Sequence, residues 1–282
     1  MIRWGIVGVG VAGRARARAI QSDPRAEAVC GHRGDPHAVN LAVSDTVDAL
    51  INRVDAVAIC TPDQHHAPLV AHALMAGRHV LCEFPLASHV GDATKLFALA
   101  RRQGVVLHVE HIELLGGAAR WWRRQNVHAI RGSLSFCSAR TGVSPVWGNI
   151  ARLHRFVDAV GIPEQVRVDV RAPTELQGAL QVAGTWFALD FRFAHGLKRQ
   201  TRLSIVDRRD RHIVQCNRMV MVDEQEVALP KVDGLFAMDQ RHATARILDG
   251  AAGYVSEARI LCVLKLASLL ERVPLHTASP FP

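Results

Sequence analysis

The feature that most constrains this chain is a strand, a glycine turn and a helix in immediate succession. An apolar run from Ile2 to Val9 leads into Gly8-Val-Gly10-Val-Ala-Gly13, and a stretch rich in Ala and Arg follows at once. In that order, glycines let the backbone approach a pyrophosphate, whose charge is stabilised by the free N–H groups and the positive dipole end of the helix. The glycine pattern is weak by itself, but the alternation continues. Strands are expected at Ala26 to Gly31, Val54 to Thr61 and His79 to Glu83. Helices are expected from His66 to Met75, closed by Gly77, and from Val90 to Arg102, closed by Gly104. Strands alternating with helices predict a doubly wound parallel sheet, an α/β Rossmann domain with right-handed crossovers.

The end of the second strand selects the cofactor. An acid there accepts hydrogen bonds from the adenosine ribose, whereas an arginine pairs with a 2′-phosphate. The sequence reads Cys30-Gly-His-Arg-Gly34, with Asp35 the only nearby acid, so His32 and Arg33 favour NADPH over NADH. Arg14, Arg16 and Arg18 add positive potential near the phosphates, although at helical spacing they do not all face one way. Ligands of open sheets bind at the carboxyl ends of the strands. That places Thr61-Pro62-Asp63-Gln64-His65-His66 and Glu83-Phe84-Pro85 along the cofactor. The candidate cofactor residues are therefore Gly8, Gly10, Val11, Gly13, His32, Arg33, Thr61, Pro62, His66, Glu83 and Phe84.

The second half changes period. From about Val127 the pattern alternates: Val166, Val168 and Val170 with Arg167, Asp169 and Arg171, then Phe187, Leu189, Phe191 and Phe193 with Ala188, Asp190 and Arg192. This predicts an α+β domain with a large, mostly antiparallel sheet covered on one face. The division expected is 1–112 for the cofactor domain and 113–282 for a substrate domain that ends in a helix, with the open sheet face available for a homo-oligomer. Every apolar run is interrupted well before the ~18 residues a membrane span needs. No charged and apolar leader precedes the first strand, so a cytoplasmic protein is expected. The six cysteines form no Cys-x-x-Cys pair, which predicts reduced side chains and no metal centre. The net charge of +8 comes from scattered arginines rather than a block, favouring small anionic ligands over nucleic acid or membrane.

These motifs carry a resemblance. Gly8-x-Gly10-x-x-Gly13, Thr61-Pro62 with His66, and Ala76-Gly-Arg-His-Val-Leu-Cys-Glu-Phe-Pro-Leu86 resemble the glucose-fructose oxidoreductase and inositol dehydrogenase family. That family usually has Glu-Lys-Pro at the last turn, with the lysine moving a proton to or from a substrate hydroxyl. Phe84 stands there instead. The family's substrate-domain Asp and His would align with Ala151 and Arg155, which removes the same chemistry a second time. Val105-Val-Leu-His-Val-Glu-His-Ile-Glu-Leu-Leu115 is similar to the biliverdin reductase branch, which carries Glu-Tyr-Pro at the turn. Ile150-Ala-Arg152-Leu, Gly196-Leu-Lys198-Arg199, and Asp239-Gln240 with the helix around Glu257 to Leu270 extend the likeness along the chain. Two departures are Phe84 for the branch's tyrosine and Val109 for a usual glutamate.

The resemblance implies hydride transfer from NADPH to the central methine carbon of a linear tetrapyrrole, biliverdin to bilirubin. Glu110, His111, Glu113, Phe84 and Arg152 are the expected catalytic residues, and Arg152, Lys198 and Arg199 the expected ligands of the substrate carboxylates, which guanidinium forks bind bidentately. In a strand His108 and Glu110 share one side, while His111 and Glu113 share the other if the strand runs that far. Such a pattern does not converge on a metal. Two alternatives stay open: an NADPH-dependent imine or carbonyl reductase of another acidic, conjugated metabolite, and a cofactor-bound sensor without turnover.

Overall fold

A computed structural model describes residues 1–282 except Asn126, Arg140, Thr141 and Asp233. In chain order the first elements are β1 (Ile2–Val9), α1 (Val11–Gln21), β2 (Ala26–Gly34), β3 (Ala42–Val43), α2 (Val47–Ile51), β4 (Ala56–Ile59), α3 (His66–Met75), β5 (His79–Cys82), α4 (Val90–Gln103) and β6 (Leu107–Val109). Then come α5 (Gly117–Arg123), β7 (Ala129–Ser138), α6 (Ile150–Ala159), β8 (Gln165–Ala172), β9 (Glu175–Val182), β10 (Thr185–Phe193) and β11 (Gln200–Asp207). The chain closes with β12 (His212–Cys216), β13 (Met219–Val222), β14 (Gln225–Glu226), α7 (Leu235–Asp249), α8 (Glu257–Leu270) and β15 (Ser279–Pro280).

Two compact units form, Met1–Ile112 with Asp233–Leu261, and Glu113–Val232 with Cys262–Pro282. A single cut at 112/113 assigns 233–261 to the second domain, whereas the structure groups that segment with the first. The physical reason is α7. Its Ala243 joins the core made by Trp4, Ile6, Ala17, Ile20 and Leu81, and its Thr244 hydroxyl donates to Asp23 at 2.7 Å.

The first unit is a six-stranded parallel sheet in the order β3-β2-β1-β4-β5-β6, the doubly wound Rossmann arrangement expected. β4 is buried at every position, as a central strand covered on both faces must be. α3 ends beside Gly77 and α4 at Gly104, both left-handed, at φ +68° and +66°, where glycine carries no Cβ penalty. The second unit is a nine-stranded sheet, order β14-β13-β12-β11-β7-β10-β9-β8-β15, antiparallel except where β7 and β10 run parallel. Phe187, Leu189, Phe191 and Phe193 are buried while Ala188 and Arg192 are exposed, which is the covered face the alternation predicts. α6 packs on that face, its Phe156 ring edge-on to Phe187 at 5.3 Å.

Candidate active site

The glycine turn shows three different constraints. Gly8 sits at φ +94°, and a Cβ there would lie 2.5 Å from the Cys60 carbonyl oxygen. A Cβ at Gly13 would lie 2.0 Å from the Gly8 carbonyl oxygen, so α1 can pack this close to β1 only with glycine. A Cβ at Gly10 would meet nothing within 4 Å. That open position at the start of an 11-residue helix is where an anion can approach the free N–H groups, beginning with Val11. The cradle therefore fits a dinucleotide pyrophosphate.

At the end of β2, His32 Nδ1 lies 2.8 Å from the Ser44 carbonyl and Arg33 is exposed at φ +61°. The Asp35 carboxylate accepts from the Ala38 N–H at 3.1 Å, so it is engaged in a local turn. The strand ends at Thr61-Pro62 and Glu83-Phe84-Pro85 are joined by His66. Its buried ring contacts the Pro85 carbonyl at 2.7 Å and the Thr61 carbonyl at 2.8 Å. His66 is thus a latch between two turns, each following a central strand. The Phe84–Pro85 peptide is cis, and the Phe84 ring lies 4.6 Å from the His111 ring, tilted by 51°. Thr61 Oγ1 and Glu83 Oε1 are buried without a hydrogen-bond partner among the described residues. Burial raises the Glu83 carboxyl, outweighing the attraction of Arg16.

The segment after β6 departs from expectation. The strand stops at Val109, because its neighbour β5 ends at Cys82, and Ile112–Leu114 form a 3₁₀ turn. Glu113 is consequently on a turn rather than on a shared strand face with His111. Glu110 turns inward to Arg16, 2.5 Å away, and Arg16 also reaches Asp239 at 2.6 Å. Arg16 therefore does not supply potential to the phosphates: it is wholly buried, between two carboxylates. One guanidinium cannot neutralise both. Asp239 additionally accepts from His108 at 2.8 Å and from the Tyr254 hydroxyl at 2.6 Å, so it stays ionised, well below the usual carboxylate range. Glu110, with burial dominant and Asp239 beside it, is pushed up to about 8. The Tyr254 hydroxyl in turn accepts the His111 N–H at 2.8 Å, and burial and Asp239 raise its pKa far above the phenol range, so it keeps its proton.

In the second unit, Arg152 is buried, donates toward Glu113 at 3.1 Å and lies over the Phe136 ring at 5.1 Å. Arg155 approaches the other Glu113 oxygen at 3.6 Å. The charge expected to meet a substrate carboxylate at Arg152 is thus already paired within the protein. Lys198 and Arg199 are exposed between β10 and β11 and form no salt bridge among the described residues. The strand register puts them at the same sheet end as Phe136, since Cys137 pairs with Gln200. Tyr254 was missed by sequence reasoning, and Arg16 was given a different role, near the phosphates. Arg16 had one signal: it shares the buried helical face of Gly13, Ala17 and Ile20.

Residues 2–111 match the oxidoreductase family with an NAD-binding Rossmann fold. The chain is 28% identical to biliverdin reductase A of Mus musculus, over 95% of this chain and 94% of that protein. It superposes on biliverdin reductase from Synechocystis sp. PCC 6803, crystallised with biliverdin and NADP+, with a TM-score of 0.83 and 25% identity, covering 96% of this chain and 98% of that one. It is also 30% identical to UDP-N-acetylglucosamine 3-dehydrogenase of Acidithiobacillus ferrooxidans, over 46% of this chain and 43% of that protein. Residues 2–111 thus carry the NAD-binding Rossmann fold of that oxidoreductase family, and the full-length likeness of the chain is to biliverdin reductases.

Proposed function

We propose that this protein is an NADPH-dependent reductase of a linear tetrapyrrole, converting biliverdin to bilirubin. The observation that carries the reading is the Glu83-Phe84-Pro85 turn. Alcohol and carbonyl interconversion needs a group there that moves a proton, and the chain presents a phenyl ring packed against His111. An aromatic surface suits a flat conjugated partner, for which positioning against the nicotinamide is the main demand on the protein. The full-length likeness to biliverdin reductases points the same way.

The protein's own residues take the following parts. The Gly8 to Gly13 turn and the N–H groups of α1 hold the pyrophosphate. Arg33 pairs with the 2′-phosphate, since the one acid nearby, Asp35, is occupied by Ala38. Lys198 and Arg199 pair with the substrate carboxylates, and the Arg152–Glu113 pair shapes the covered face of the sheet in place of the direct contact expected from Arg152. When bound, NADPH supplies a hydride to the central methine carbon, and one proton from water or a nearby acid completes the reduction at a pyrrole nitrogen.

The test is to mix the purified protein with NADPH and biliverdin, run NADH in parallel, and follow the change from green to yellow. Reduction with NADPH preferred is the expected result. Binding of biliverdin without a colour change refutes catalysis and leaves a sensor. NADPH binding without any binding of biliverdin refutes the tetrapyrrole and points to another acidic conjugated metabolite.

A further inference from the structure

The chain has one tyrosine, and it does not stand at the turn where the biliverdin reductase branch carries one. Tyr254 lies between α7 and α8, its ring flanked by His108 at 5.7 Å and His242 at 4.9 Å. Its hydroxyl makes two directed bonds. It donates to Asp239 Oδ1 at 2.6 Å and accepts the backbone N–H of His111 at 2.8 Å. Neither bond can reverse, because an ionised carboxylate has no proton to give and a backbone amide can only donate. The hydroxyl proton is therefore committed, and Tyr254 is not a proton donor for a substrate. What the arrangement does is mechanical. Asp239 is wholly buried and fixed by Arg16 and His108, so the hydroxyl is a rigid point, and the rigid point holds the peptide of His111. The side chain of that same residue lies against Phe84.

We propose that Tyr254 is a positioning residue for the nicotinamide half of the cofactor. Through the His111 backbone it sets where the His111 ring meets Phe84, and so the shape of the surface the nicotinamide contacts. The inference rests on reading the Phe84 turn as the nicotinamide side of the site, as the function proposed above does. It does not depend on the identity of the substrate.

The experiment compares binding of NADPH with binding of 2′,5′-ADP, which carries the adenosine half alone, by titration calorimetry. In the wild type NADPH is expected to bind more tightly than 2′,5′-ADP, the difference reporting the nicotinamide half. In Tyr254→Phe, which keeps the ring between the two histidines, NADPH should weaken by roughly 5- to 10-fold, the scale of one lost hydrogen bond. Binding of 2′,5′-ADP should stay within about twofold of wild type. His111→Ala should reduce the same difference, and adding Tyr254→Phe to it should change NADPH binding by less than about twofold, because the two act through one contact. Equal weakening of both probes shows a general loosening of the unit and overturns the proposal. So does a wild type that binds the two probes equally, an unaltered NADPH affinity in Tyr254→Phe, or effects that multiply in the double variant. Failure of the wild type to reduce biliverdin refutes the substrate assignment alone and leaves these binding ratios as they are.

Discussion

Glu110→Gln tests the charge balance around Arg16. In the native protein Glu110 ionises at about 8, against an ordinary value of 4.5. Between those values the folded state holds a proton that the unfolded state has released. Stability therefore falls as pH rises from about 4.5 to about 8, and the contribution is fully present only below that window. A shift of this size corresponds to at most about 5 kcal/mol at about 1.4 kcal/mol per unit. Relaxation of the site around a newly formed buried charge brings the measurable effect to about 2 kcal/mol. For a chain of this length that is roughly 4 to 8 °C in Tm. Gln keeps an oxygen for Arg16 and does not titrate. The wild type and Glu110→Gln should therefore melt together near pH 5, with the variant several degrees higher at pH 8.5, as followed by scanning calorimetry. A difference between the two that stays constant from pH 5 to pH 9 refutes the assignment of the raised value to Glu110.

The other predictions concern the cofactor and the anion ligands. Gly13→Ala should lower Tm and abolish NADPH binding, because its Cβ would lie 2.0 Å from the Gly8 carbonyl oxygen, whereas Gly10→Ala should fold normally and bind NADPH at least about 10-fold more weakly; thermal melts with titration calorimetry separate the two. Arg33→Ser should reduce the preference for NADPH over NADH in kcat/KM by about 10-fold, the scale of one charge-assisted contact to phosphate. Replacing Lys198 and Arg199 together by Ala should raise KM for biliverdin about 10-fold or more with Tm unchanged, since both are exposed and form no salt bridge among the described residues.

The alternation of strands and helices and the helix ends were legible because their causes are local. Gly77 and Gly104 end helices wherever a left-handed residue is needed, and Phe187 to Phe193 alternate because one face is buried. The region from Val105 to Leu115 was not legible in the same way. Its apolar and His/Glu pattern suits a long strand, but a strand lasts only as long as its partner, and β5 stops at Cys82. The fate of Glu110, Arg16 and Tyr254 was still less accessible. Their partners lie 94, 223 and 143 positions away along the chain, and no spacing rule spans such distances. Arg152 shows a related limit. Its helix was legible in the likeness of Ile150-Ala-Arg152-Leu, but its capture by Glu113 required knowing that Glu113 is on a turn.

The source of the proton is narrowed by elimination. Tyr254 commits its hydroxyl hydrogen to the bond with Asp239, His66 spends its ring on two carbonyls, and Glu110 is held by Arg16. Glu83 shares a value raised by burial with Glu110 and differs from all three in its place and its unpartnered oxygen. It directly precedes Phe84, its Oε1 is buried without a hydrogen-bond partner among the described residues, and burial raises it so that its protonated form persists to higher pH than an ordinary glutamate. A general acid has to be protonated to act, so a step that uses Glu83 loses rate as pH rises through its raised value. Glu83→Gln keeps the shape of the turn and cannot give a proton. In pH profiles of kcat with NADPH and biliverdin, the variant should be slower by about 100-fold at the wild-type optimum, the lower end of what a positioned acid contributes. The alkaline fall traceable to Glu83 should vanish with the substitution, while the affinity for 2′,5′-ADP stays that of wild type. If Glu83→Gln retains the wild-type rate and the same alkaline limb, the proton comes from water, and the chain contributes to the reduction by positioning alone.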